Sequence, residues 1–279
     1  MRRIIRVFPK RTSHTPIDDM VFIGDPPLER PQADEVHVSC IFTWDKPKAE
    51  RLKLAWGQYY PIVKLGGPAY EDHGDDFTPG MYLKQGIIMT SRGCNHKCPW
   101  CLVHLREGSL RLLPITEGNI LQDNNWLQCP MAHIDATIDM LTHQHQIVMS
   151  GGLEAGLVTE RIADRIRGLR VRQLFLACDT DGAIKPLRKA IKLLQLRRDK
   201  VRCYVLLKHD PDETMLHALI RLMQVWEAGA KPFAQLYQPP DKRIEYPLEW
   251  QRFARTWQRP AASAVFIRDA LNSNAKGRT

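Results

Sequence analysis

Residues 86–103 read GIIMTSRGCNHKCPWCLV. A short apolar run, Gly86–Thr90, leads at once into three cysteines, Cys94, Cys98 and Cys101, that fall within eight residues. The run has the length and aliphatic content of a buried strand. From there the chain alternates strand-like and helix-like segments. Strand character recurs at Asn119–Asp123, Gln146–Ser150, Gln173–Ala177, Val201–Leu207 and Pro232–Tyr237. Helical spacing marks residues 130–144, 159–168, 182–196 and 212–228 between them. Repeated strand–helix units predict a parallel sheet, and six of them suit a partial (β/α)6 barrel over residues 86–240 rather than the closed eightfold form. The cysteines then sit at the C-terminal end of the first barrel strand, the end where active sites of such barrels gather.

Outward from this segment the sequence predicts three further regions. Residues 1–34 contain the turn-rich stretches FPKRTSHTP and GDPPLERP and read as an irregular arm. Residues 35–85 hold a small βαβ unit: HVSCIF (37–42) as strand, KPKAERLKLAWG (46–57) as helix with Pro47 in its first turn, and YPIVKL (60–65) as strand, closed by Gly66-Gly67-Pro68. Residues 241–279 hold one helix, PLEWQRFARTW (247–257), and a tail ending NSNAKGRT that reads as frayed. The fold class is therefore α/β: a partial barrel with a short N-terminal βαβ appendage and a C-terminal helix.

Composition limits the function classes. The 279 residues are 44% hydrophobic and 25% charged, which supports a packed core and excludes wholesale disorder. No apolar run approaches the roughly 18–20 residues that cross a bilayer, so no membrane partner is expected. The basic start MRRIIRVFPK has too short an apolar stretch for a signal peptide, and a cytoplasmic location is expected. Net charge is +9. Residues 161–210 carry 14 Lys and Arg against 5 Asp and Glu, a net of +9 in that stretch alone. Solvated outer faces of amphipathic helices account for such a pattern; so does a face that meets nucleic acid.

The seven cysteines are an odd number, and four of them, Cys40, Cys129, Cys178 and Cys203, stand singly. A disulfide framework does not look like this; a metal or redox site at Cys94, Cys98 and Cys101 does. Three thiolates spaced CxxxCxxC can hold three corners of a 4Fe–4S cluster, which ordinarily takes four. The fourth iron is left without a protein ligand, and an open position is what a catalytic metal needs and a structural one does not. Zinc is the other reading, with His96 or His104 as a fourth ligand. The four single cysteines have no CxxC pairing, so one cluster is expected, and they read as buried hydrophobes.

Cys94, Cys98 and Cys101 with the aromatic Trp100 resemble the CxxxCxφC signature of the radical S-adenosylmethionine superfamily. The flanking TSRGC and the CPWC ending resemble the subgroup with methylthiotransferases and cobalamin-dependent members. The resemblance implies that the open iron chelates S-adenosylmethionine, that an electron donor such as flavodoxin or ferredoxin reduces the cluster, and that a 5′-deoxyadenosyl radical abstracts hydrogen from substrate. It implies that Trp100 lies against adenine. By position only, it places further cofactor contacts at the ends of later strands: Asp123 and Asn124, then Gly151, Gly152 and Glu154, then Asp179. Glycine pairs also serve plain tight turns, and Asp179 can equally cap a helix. Lys208, His209 and Asp210 end the fifth strand, and face substrate or lie in an outer loop. The unit at 37–68 resembles a remnant of the cobalamin domain of those relatives, but Glu71-Asp72-His73-Gly74 has the wrong spacing for its cobalt-binding motif, so cobalamin is not expected. The absence of a second cysteine cluster argues against methylthiotransferase activity.

The leading expectation is a radical enzyme whose substrate is a nucleic-acid base or nucleotide-derived group, with a small metabolite or peptide as the other substrate classes. The competing class is a nucleic-acid-binding protein with a structural metal and no catalysis, which explains the charge but not the six βα units.

Overall fold

The segment expected to be an irregular arm carries two strands, β1 (Ile4–Phe8) and β2 (Val21–Ile23). A computed structural model of the chain describes residues 2–70, 77–239 and 242–276. The βαβ unit follows as β3 (Glu35–Ser39), α1 (Lys46–Gly57) and β4 (Val63–Gly66). All four strands form one parallel sheet in the order β2-β1-β3-β4. The boundary expected at residue 34 therefore cuts through a single sheet. Its core, with Ile5, Val7, Val36, Val38, Leu52 and Trp56 at 0–1% exposure, is separate from the core of the rest of the chain. Prolines and charges hid β1: Arg6 is buried, which a strand tolerates here because Asp18 pairs with it and the Gly80 and Met81 carbonyls accept from it at 3.3 and 3.1 Å. The cobalamin-like stretch Glu71–Gly74 lies outside the described residues.

Glu35 ties this sheet together. Arg2, His37 and Lys64 approach its carboxylate at 2.8, 2.9 and 2.6 Å. Lys64 first, then His37, lowers its pKa from 4.5 to about 2. A carboxyl held below its ordinary value adds stability above that value and loses it as the pH falls through the depressed one. Glu35→Gln is expected to reduce stability at neutral pH and to flatten the loss of stability between pH 4.5 and about 2; urea midpoints measured across that range check it.

The second sheet begins at β5 (Ile87–Ile88). The chain then forms a two-residue antiparallel ribbon, β6 (Ser91–Arg92) and β7 (Arg111–Leu112), which brackets the cysteines and the single-turn α2 (Val103–Arg106). Neither was expected; both are too short to leave a periodic signal. Next come β8 (Ile120–Leu121), α3 (Met131–Thr142), β9 (Ile147–Leu153), α4 (Glu160–Arg167), β10 (Val171–Ala177), α5 (Ile184–Leu194), β11 (Val201–Leu207), α6 (Met215–Ala228) and β12 (Lys231–Leu236). The six long-sheet strands are parallel and lie in chain order, β5-β8-β9-β10-β11-β12. Parallel crossovers are right-handed, so a sheet wound in one direction collects its helices on one face. On β11 that face is Val201, Cys203, Val205 and Leu207, all fully buried with Leu187, Leu194, Ala218 and Leu222. The other face carries Arg202 and Tyr204; the Tyr204 ring stacks on Phe175 at 4.7 Å, and its hydroxyl donates to the Ser150 carbonyl at 3.1 Å.

The helices start and stop where local chemistry permits. Thr159 caps α4 by accepting from the Ile162 N–H, and Thr214 caps α6 by accepting from the His217 N–H. Gly229, at φ 104°, ends α6 in the left-handed conformation. At the C-terminus α7 (Leu248–Gln258) matches the expected helix, but a second helix, α8 (Pro260–Lys276), follows where a frayed tail was expected. Among the described residues no helix is long and apolar enough to cross a membrane.

Candidate functional site

The cysteine loop leaves the C-terminal end of β5, and four carboxylates fix its surroundings. The first is Asp123, just past β8. It accepts from the Thr90 N–H, the Thr90 hydroxyl and the Ser91 hydroxyl, each at 2.7 Å, and is 2% exposed. Burial raises its pKa against the pull of the two hydroxyls. Its oxygens are spent inside the protein, so Asp123 anchors the root of the loop; the expected cofactor contact is corrected to a structural one. A Cβ at Gly151 would come 1.7 Å from the Asp123 carbonyl oxygen, so the glycine is there to let β9 approach β8's loop.

The second is Glu107. Arg92 donates to it from Nε and Nη2 at 2.6 and 2.8 Å, the Asn124 amide at 2.8 Å and the Gly93 N–H at 3.3 Å. Burial alone would raise its pKa, but Arg92 and the amides hold it below the ordinary value. Asn124 is thereby occupied by Glu107. Gly93, at φ 80°, lies so close under Ser109 that a Cβ would sit 2.2 Å from its carbonyl oxygen. Cys94 then donates its N–H to the Gly108 carbonyl at 3.1 Å.

The third is Glu154, after β9. Its Oε2 is 2.8 Å from His96 Nε2, and it accepts from Asn125 at 2.8 Å and Gln128 at 3.5 Å. Gln128 in turn accepts from the Asn95 N–H at 2.9 Å and from the Cys94 thiol at 3.6 Å. Glu154 thus reaches the cysteine loop through His96 and these two amides. Gly152 has φ 82°, and a Cβ there would lie 3.4 Å from the Tyr204 ring.

The fourth is Asp179, after β10. It accepts from the Leu206 N–H at 3.0 Å; burial raises its pKa. His209 Nε2 lies 2.8 Å from its carbonyl oxygen, and the imidazole faces the Trp100 ring with centroids 4.4 Å apart. The turn that presents His209 starts with Lys208 in the left-handed region, φ 61°. Its Glu213 accepts from the Lys208 N–H and pairs with Arg221, two charges only 2% and 4% exposed.

The sequence-predicted residues therefore divide. Cys94, Cys98, Cys101, Trp100, Glu154 and Asp179 come together at the C-terminal end of the long sheet, with Asn124 beside them; Asp123 forms its buried footing, with Gly151 packed against its backbone. Glu107, Asn125 and Gln128 were not foreseen: Asn125 and Gln128 come from beyond β8, and Glu107 lies in the loop itself with only Arg92, just before the motif, to hint at an acidic partner.

Cys94, Cys98 and Cys101 are half-buried, while Cys40, Cys129, Cys178 and Cys203 are buried. Burial first, then the neighbouring thiols, raises the Cys98 pKa; burial also raises that of Cys101. Among the described residues no three His, Cys, Asp or Glu side chains converge to hold one metal ion. A cubane spreads its thiolates over separate irons, so three thiols on one short loop suit it without converging on a point. His96 is engaged by Glu154, whereas His104 Nδ1 is buried with no hydrogen-bond partner. Compared with known proteins, the chain matches no family model and no curated relative.

Proposed function

We propose that this chain is a radical S-adenosylmethionine enzyme on a partial (β/α)6 barrel, acting on a nucleic-acid base or a nucleotide-derived group. The observation that carries the reading is the half-buried trio Cys94, Cys98 and Cys101 on one loop at the C-terminal end of a six-stranded parallel sheet. These three thiolates would hold the cluster. The chemistry a bound 4Fe–4S cluster supplies is one-electron cleavage of S-adenosylmethionine to methionine and a 5′-deoxyadenosyl radical, which takes a hydrogen atom from substrate.

The chain's own residues orient and shelter. Glu154, Asn125 and Gln128 hold the loop on its Cys94 side. Glu107 fixes its entry through Arg92 and Gly93. Trp100 packs against His209 beside Asp179, with ring centroids 4.4 Å apart and planes 36° apart. The net charge of +9 favours a polyanionic substrate, and a flavodoxin or ferredoxin would supply the electron.

Anoxic reconstitution with iron and sulfide is expected to give a brown protein with about four irons per chain. Dithionite and S-adenosylmethionine should then yield 5′-deoxyadenosine, more of it when DNA or RNA is added. A brown protein that makes none overturns the reading.

A further inference from the structure

The small sheet has its own unassigned edge. In the order β2-β1-β3-β4 the chain leaves β1 toward one side and β3 toward the other, so the loops after these two strands diverge. In open parallel sheets the crevice beyond the strand C-termini at such a reversal is where ligands bind. The loop after β1 supplies Lys10 and the loop after β3 supplies Phe42 and Trp44. The two rings are stacked, centroids 4.8 Å apart and planes 14° apart. Trp44 is 42% exposed, unusual for a large aromatic. Lys10 Nζ lies 4.5 Å from the Phe42 centroid and 5.7 Å from that of Trp44, and pairs with Asp45 at 2.8 Å. A second cation comes from the other sheet: the Arg243 guanidinium lies 6.0 Å from the Trp44 ring. Arg243 follows β12, so it leaves the long sheet at the same end as the cysteine loop. Arg11, Lys48 and Lys242 are exposed in the flanking segments.

We infer that Trp44 and Phe42, flanked by Lys10 and Arg243, form a stacking platform for an unpaired base of a single-stranded nucleic acid, with the cations meeting its phosphates. A partly exposed ring accepts any base, because every base has a π surface, and neighbouring cations follow the backbone. A duplex keeps its bases stacked inside and offers none. The excess of positive charge over the whole chain favours a polyanion over a neutral partner. This rests on the nucleic-acid part of the proposed function but not on the radical chemistry.

The test is fluorescence anisotropy with a labelled single-stranded DNA or RNA oligonucleotide of mixed sequence and the full-length protein. Trp44→Ala is expected to weaken binding by about 5- to 100-fold, while Trp44→Phe, which keeps a ring, should keep most of the affinity. The pair Lys10→Glu and Arg243→Glu should weaken binding and make it less dependent on salt. Binding of single strands that is unchanged in Trp44→Ala overturns the platform. So does a duplex or a free mononucleotide that competes at the same concentration as the strand. If Trp44→Ala does not fold, the charge-reversal pair decides: unaltered affinity and salt slope overturn the proposal. Deoxyadenosine formation by the parent protein without oligonucleotide reports on the cysteine site separately.

Discussion

Cys98→Ala is expected to abolish both the colour and the deoxyadenosine. With two thiolates left, the cubane has too few anchors to be retained, so iron after anoxic desalting should drop from about four per chain to well below one. Deoxyadenosine formation should fall by more than about 100-fold, because the protein contributes orientation and shelter, not electrons. The comparison that gives this force is Cys40→Ala. Cys40 is equally a cysteine but lies fully buried in the core of the small sheet, and its loss should cost a little stability and leave iron content and activity intact. Equal loss in both variants would mean that the cysteine loop is not the iron site.

Arg221→Met is expected to cost about 3–5 kcal/mol of stability, the usual penalty for stranding one charge of a buried pair. The Glu213 side chain is 2% exposed and, besides Arg221, receives the Lys208 N–H of the same turn. Arg221 also donates to the Leu206 carbonyl at 2.9 Å. Removing the guanidinium leaves a carboxylate without its counter-charge under the turn that presents His209. Replacing both partners by apolar residues, Glu213→Leu with Arg221→Met, removes the charge problem and should recover much of the loss. Urea unfolding of the three proteins measures it, and a single variant as stable as the parent would show that the pair is not desolvated in solution.

How much of this was legible beforehand depends on how far apart the interacting residues lie in the chain. Val201–Leu207 was found to the residue because every second side chain is aliphatic and the strand is bounded by charge. The helices α3 to α7 were placed within a few positions for the same reason: an amphipathic face writes its period into the sequence. The cysteine loop was legible because its ligands are neighbours. Ile4–Phe8 was not, since Arg6 occupies a core position and its partners, Asp18, Gly80 and Met81, are distant. Strands of two residues such as Ile87–Ile88 and Ile120–Leu121 were seen only as parts of longer apolar runs. Asp123 turned inward to Thr90 and Ser91, because nothing local states whether a polar group at a strand end turns inward or outward. The six strands form one parallel sheet, as the alternation of strand and helix predicts.

The long sheet ends at β12, and that border is shielded from within the chain. Pro232 brings no N–H to it, the side-chain amide of Gln258 donates to the Ala234 carbonyl at 3.1 Å, and the Gln258 carbonyl receives Arg202 at 3.1 Å. An unguarded strand of this kind is a template for another copy. Shortened versions that stop before Leu248 would lose this guard, so clumping seen with such fragments is a property of the deletion and says nothing about how the full-length protein assembles.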